Sequence, residues 1–165
     1  MPISPYVQSL RARVGSARLL LPSVSAHVFD TTGRLLLVRQ REGGVWSTPG
    51  GLIEPDERPA DTVVRETWEE TGLLVSPRRL LAVYGGPDFV VRYPNGDEAQ
   101  YVIVAFECQV AEGTLNSDTD ETMGAGYFSE PEAVDLPLAR WLRGILPAVF
   151  SRTEQFETAS WQPRG

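Results

Sequence analysis

Gly51-Leu52-Ile53-Glu54-Pro55-Asp56-Glu57, seven further residues, then Arg65-Glu66-Thr67-Trp68-Glu69-Glu70-Thr71-Gly72-Leu73 is the stretch that decides how this chain is read. Ala60, Val63, Val64, Thr67 and Thr71 recur at helical spacing and form a weakly apolar face. Pro59 suits the first turn of a helix, where its missing N–H costs little. Gly72 suits the left-handed residue that stops one. The pattern predicts a helix over 59–71. On that helix Glu66 neighbours both Glu69 and Glu70, because residues three and four apart share a face.

Like charges at that spacing cost only a few tenths of a kcal/mol per pair on an exposed helix. Spacing alone therefore does not separate a cation site from a solvated acidic face. Three neighbouring features point to a site. Arg65 lies inside the cluster and can pair with Glu69 one turn on. Gly50 and Gly51 precede the helix, as expected where backbone approaches a ligand closely. Glu54 and Glu57 add loop carboxylates. Such oxygens suit a hard cation such as Mg²⁺, which keeps waters that phosphate oxygens can displace.

Working outward, 5–15 reads as a short helix, and 19–29 as a strand with a break or bulge near Pro22. The turn Asp30-Thr31-Thr32-Gly33 and the strand 34–40 predict a hairpin with it. Segment 41–45 is a polar loop, and 46–48 a short extended piece. Beyond the helix, 73–75, 79–85, 89–93 and 101–110 read as extended, with an Asn95-Gly96 turn signal. Residues 111–123 read as an acidic loop, and 126–128 as a short strand. Segment 131–135 is a helical turn, and 138–150 an amphipathic helix interrupted by Pro147. The expected organisation is one domain over 1–150 and a loose tail over 151–165. It is an α/β chain with a mixed sheet and helices on both faces.

The 165 residues suffice for one sizeable core. A single Cys108 excludes an internal disulfide and a multi-cysteine zinc site. The single His27 lies in an apolar run, so acid–base work falls to carboxylates. The net charge of −7 disfavours long nucleic acids as partners. No apolar run approaches the roughly 20 residues that span a bilayer, and the N-terminus lacks a signal-peptide pattern. No membrane partner and a cytoplasmic location are the expectations.

The segment from Gly51 to Leu73 resembles the signature of the Nudix hydrolases: Gly, five residues, Glu, seven residues, Arg-Glu, an apolar residue, any residue, Glu-Glu, any residue, Gly, an apolar residue. Gly51, Glu57, Arg65, Glu66, Glu69, Glu70 and Gly72 match in register. Seven such matches arise by chance on the order of 10⁻⁸ per starting point. Thr67 departs, standing where the family has an apolar residue; its methyl can pack and its hydroxyl can bond a backbone carbonyl.

The resemblance implies an α/β/α sandwich with a loop–helix–loop catalytic segment. It implies Mg²⁺-dependent hydrolysis of a nucleoside diphosphate linked to another group, with Mn²⁺ as a substitute. Glu66, Glu69 and Glu70 would bind metal, supported by Glu57 and by the carbonyl of Gly50 or Gly51. Gly51 would shape the loop against the substrate, and Arg65 would orient a glutamate. The family draws its general base from the box or from a later loop; here that loop offers Asp118, Asp120 and Glu121, with Glu121 the candidate. Arg39 ends a strand near the glycine loop and is a candidate phosphate contact, or equally a surface arginine. Tyr84, Phe89, Tyr93, Tyr101 and Trp46 are candidates for stacking on a base, or core residues. The expected substrates are small nucleotide derivatives, a nucleotide sugar such as ADP-ribose or a nucleoside triphosphate. A homodimer fits the resemblance. The alternative is a non-catalytic nucleotide-metabolite-binding module, a class that typically lacks the box glutamates.

Overall fold

The computed structural model describes residues 4–156, 158, 159, 161 and 162. The elements are α1 (Pro5–Val14), β1 (Leu19–Val28), β2 (Leu35–Gln40), β3 (Trp46–Ser47), α2 (Pro59–Thr71), β4 (Leu73–Tyr84), β5 (Val90–Arg92), β6 (Glu98–Gly113), β7 (Thr122–Phe128), α3 (Glu130–Val134) and α4 (Arg140–Ser151). One sheet has the order β1-β6-β4, with β5 also on β6; the other has the order β3-β2-β7. The chain forms an α/β/α sandwich. On one side Val63 and Val64 of α2 pack on Val24, Ala26 and Val28 of β1, Leu36 of β2 and Val75 of β4. On the other side α4 sets Leu142 and Leu146 against Leu35 and Leu37, while its Trp141 and Ile145 meet Tyr84 and Ile103. Among the described residues no helix is long and apolar enough to cross a membrane.

Helix α2 forms where expected, and Gly72 closes it with φ 68° and a bond from its N–H to Trp68 O. Its buried face differs from the reading by periodicity. Ala60 is exposed, whereas Thr62, Glu66 and Glu70 are buried. Thr67 is fully buried and its hydroxyl donates to Val63 O at 2.7 Å.

The hairpin does not form. β1 pairs in parallel with β6 over ten residues, and only an isolated bridge, Phe29 to Leu35, joins it to β2. The free edge of β1 is taken by the glycine loop: Val24 N–H donates to Gly51 O at 2.9 Å and Ala26 N–H to Pro49 O at 2.8 Å. These bonds also explain why β1 runs through Pro22 without a bulge. Pro22 shares the parity of Val24 and Ala26, so its missing N–H faces the loop and not β6. Its carbonyl still accepts from Ile53 N–H at 3.1 Å.

Other expectations shift for similar reasons. β4 is continuous through Pro77, with register shifts on an edge strand absorbing the proline. The stretch 89–93 divides into a 3₁₀ turn, Pro87–Phe89, and β5. β6 pairs with β4 as far as Gly113, and β7 begins at Thr122, so the acidic loop shrinks to 114–121. Helix α4 passes through Pro147 because buried Leu142, Leu146 and Val149 hold it on both sides. The first part of the expected tail is tied down: Arg152 pairs with Glu107 and covers the Phe29 ring, and Gln155 N–H donates to Leu81 O at 2.7 Å. Residues 157, 160 and 163–165 of that tail lie outside the described residues.

His27 is 1% exposed, and among the described residues neither ring nitrogen has a hydrogen-bond partner. Burial lowers its pKa from 6.5 to about 4, against a smaller opposing pull from Glu107. The unfolded chain thus takes up a proton below pH 6.5 that the folded chain refuses until about 4. Stability from the neutral ring is complete above the unfolded value and is lost as pH falls through this window. Relative to His27→Leu, the wild type should lose about 2 kcal/mol between pH 8 and pH 5. Urea unfolding of both proteins at the two pH values checks this; parallel losses would exclude the ring as the cause.

Candidate active site

The glycine loop and α2 meet along the free edge of β1. Gly50 N–H donates to Glu70 Oε2 at 2.9 Å, and Gln40 Nε2 donates to Glu70 Oε1 at 2.8 Å. Glu70 is fully buried. Its pKa is pushed up to about 8, chiefly by burial, with these two bonds acting against the rise. Gly51 is fixed by its carbonyl on Val24, and a methyl there would lie 2.4 Å from the Glu66 carboxyl carbon. The glycine therefore makes the space that the Glu66 carboxylate occupies.

Arg65 sits at the centre. Its Nη1 donates to Glu66 Oε1 and to Glu69 Oε2, both at 2.9 Å. Its Nε and Nη2 grip the two oxygens of Glu57 at 2.7 and 2.9 Å, and Nη2 also reaches Leu52 O. The planar guanidinium fork suits this many oxygens where a lysine would not. Glu57 is held down to about 2, first by Arg65 and further by Glu54 N–H and the Thr62 hydroxyl. Glu66, 4% exposed, is pushed up to about 7 by burial despite Arg65 beside it.

Glu121 completes the group from the loop before β7. With Ser4, Leu52, Glu54, Arg65, Glu66 and Glu69 it lines a pocket of about 90 Å³. Burial raises its pKa, and its buried Oε2 has no hydrogen-bond partner among the described residues.

These residues fit a hard divalent cation in their donor type. Glu66, Glu69 and Glu70 carry oxygen donors of the kind such an ion takes, and Glu121 beside them has one orphaned carboxylate oxygen among the described residues. Arg65 takes only one oxygen each of Glu66 and Glu69. Among the described residues no three acidic, histidine or cysteine side chains are drawn together at metal-holding distances. An ion would compete with Arg65 for these carboxylates. Two of the expected ligands already have both oxygens engaged, Glu57 by Arg65, Thr62 and Glu54, and Glu70 by Gly50 and Gln40. Of the two glycine carbonyls, that of Gly51 is spent on Val24.

Arg39 is not brought into the cluster. Its Nε donates to Gly44 O at 3.1 Å, and it lies with Trp46 against Gly124, on the side of β2 away from Gln40. Tyr84 and Phe89 stack on each other in the core at 5.8 Å, and Trp46 packs edge-on to Phe128. Tyr93 and Tyr101 share a hydroxyl hydrogen bond of 2.6 Å. Sequence reasoning missed Gln40 and Ser4. The partner of Gln40 is 30 positions away, and no local pattern marks it.

The NUDIX domain profile matches residues 19–149, and the chain belongs to the Nudix family. A MutT-like protein of Streptomyces ambofaciens is 34% identical over 100 residues, which is 61% of this chain and 58% of that protein. A putative ADP-ribose pyrophosphatase of Bacillus subtilis is 48% identical over 97 residues, 59% of this chain and 45% of that one. The chain thus spans about half the length of these curated relatives. Among solved structures, a UDP-X diphosphatase superposes with a TM-score of 0.69 at 21% identity, over 89% of this chain and 69% of its own. An ADP-ribose pyrophosphatase of Streptococcus suis gives 0.61 at 27% identity, over 83% and 96%. Helix α1 precedes the matched segment, yet Ser4 at its N-terminus lines the pocket.

Proposed function

We propose that this chain hydrolyses a diphosphate linkage in a small nucleoside diphosphate derivative, with Mg²⁺ as the preferred cation. The observation that carries the reading is the meeting of Glu66, Glu69 and Glu121 in one pocket, with Glu70 beneath it on the Gly50 N–H. A bound divalent cation supplies charge neutralisation at the diphosphate oxygens and lowers the pKa of a water. Glu66, Glu69 and Glu70 would hold that cation, with the Gly50 carbonyl beside them. Arg65 orients Glu66 and Glu69 and stays charged throughout, its pKa raised by Glu57 first. Glu121 Oε2, without a hydrogen-bond partner among the described residues, takes the proton of the attacking water. The water oxygen bonds to phosphorus, the bridging P–O bond breaks, and a phosphate-bearing group leaves. Positioning and charge stabilisation provide most of the rate.

ADP-ribose-like nucleotide sugars and nucleoside triphosphates are the substrate classes we favour, and the relatives named as ADP-ribose pyrophosphatases support the first. A phosphate-release screen over nucleotide sugars, nucleoside triphosphates and dinucleoside polyphosphates, with and without Mg²⁺, tests this. Cleavage of one class only when Mg²⁺ is present is the expected result. No turnover of any diphosphate-linked compound would favour a binding module instead.

A further inference from the structure

We infer that Arg41 is a positioning residue that holds Glu121 in the pocket; this rests on the reading of Glu121 as the base. Arg41 follows β2 directly, and its backbone N–H donates to Glu121 O at 2.9 Å. Its Nη2 donates to Asp118 Oδ1 at 2.5 Å, to Thr119 O at 2.7 Å and to Thr122 O at 3.1 Å. One side chain thus grips the turn on both sides of Glu121. Inside the turn, Thr119 Oγ1 accepts from Glu121 N–H at 3.2 Å and Thr122 N–H at 3.1 Å. Thr122 Oγ1 then donates to Glu70 O at 2.9 Å, tying the turn to α2.

The clamp answers a physical need. The Glu121 carboxylate is partly desolvated, and Glu69 and Asp120 repel it while Arg65 attracts it, so its place depends on how the turn is held. Without Arg41 Nη2, the turn is left with its threonine bonds and the backbone bond at Glu121 O to hold the carboxylate in place. The Arg41–Asp118 pair is no stability device, since the two side chains are 46% and 78% exposed and such pairs contribute little. What Arg41 adds is the simultaneous hold of Nη2 on two backbone carbonyls, those of Thr119 and Thr122, either side of Glu121.

The test takes the full chain with Mg²⁺ and two probes, ADP-ribose and GTP. Arg41→Ala should lower kcat about tenfold to a hundredfold with little change in KM, as displacement of a reacting group by about 1 Å does. Arg41→Lys should fall between. In the Glu121→Gln background, Arg41→Ala should change kcat by no more than about twofold, because the clamp then has nothing left to position. Hydrogen exchange over 117–122 should quicken in Arg41→Ala while the rest of the chain keeps its protection. Multiplying effects in the double variant, or unchanged exchange over 117–122, would overturn the inference. Full activity of Glu121→Gln would remove the base reading itself, and the inference with it.

Discussion

Glu66→Gln is expected to lower turnover about a hundredfold to a thousandfold while leaving the fold intact. The substitution keeps the volume of a side chain that is only 4% exposed, and it keeps an acceptor for Arg65 Nη1. It removes the charge. In the protein without cation that charge is a burden, since burial already pushes Glu66 up to about 7. A neutral amide lifts this cost, and Arg65 retains Glu57 and Glu69 as partners. Melting temperature should therefore stay level or rise slightly. Turnover depends on the opposite property, the ability to hold a cation as an anion. Steady-state rates on the cleaved compound and a thermal melt give the two readouts. Near-normal turnover would sink the assignment of Glu66 as a ligand; a large drop in melting temperature would make the variant uninformative about chemistry.

The second large effect separates two adjacent glycines. At Gly50, φ is 152°, and an added methyl would lie 2.2 Å from the backbone oxygen of Val24. Backbone on the strand edge cannot yield without breaking the bonds that carry the loop. Gly50→Ala should therefore destabilise the whole domain, by about 3 kcal/mol or more. At Gly51 the obstacle is the Glu66 carboxylate, the far end of a flexible side chain. Gly51→Ala should fold nearly as well as the wild type and lose activity about as badly as Glu66→Gln. Chemical denaturation and rate measurements on the two variants, side by side, check the contrast. Equal destabilisation by both would mean that the loop, and not the carboxylate, yields at position 51.

The loop–helix–loop was legible because its signals are local. Pro59, Gly72 and the carboxylate spacing each act within one or two helical turns. The failures share the opposite character. The turn at residues 30–33 satisfied every short-range condition for a hairpin. What decided against it was the segment 49–53 occupying the edge of β1, which is a contact between distant residues. Pro22 and Pro147 were read by a rule about lost N–H bonds. That rule holds only where the lost bond points at a partner strand or where packing is too weak to compensate. Within the site, the role of Arg65 was legible in its pairing with Glu69 and not in its grip on Glu57, eight residues earlier. Arg41 carried no signal at all, since its acceptors lie 77 to 81 positions away.

Ser4 on the pocket wall has a practical consequence. The chain meets the carboxylate pocket at this residue, close to its N-terminus in sequence. An N-terminal polyhistidine tag lies only a few residues from Ser4 in sequence, and its imidazoles can add nitrogen donors to a site built from oxygens. Cation preference and rates measured on such a fusion would describe a borrowed ligand set. The tag should be cleaved before the first assay.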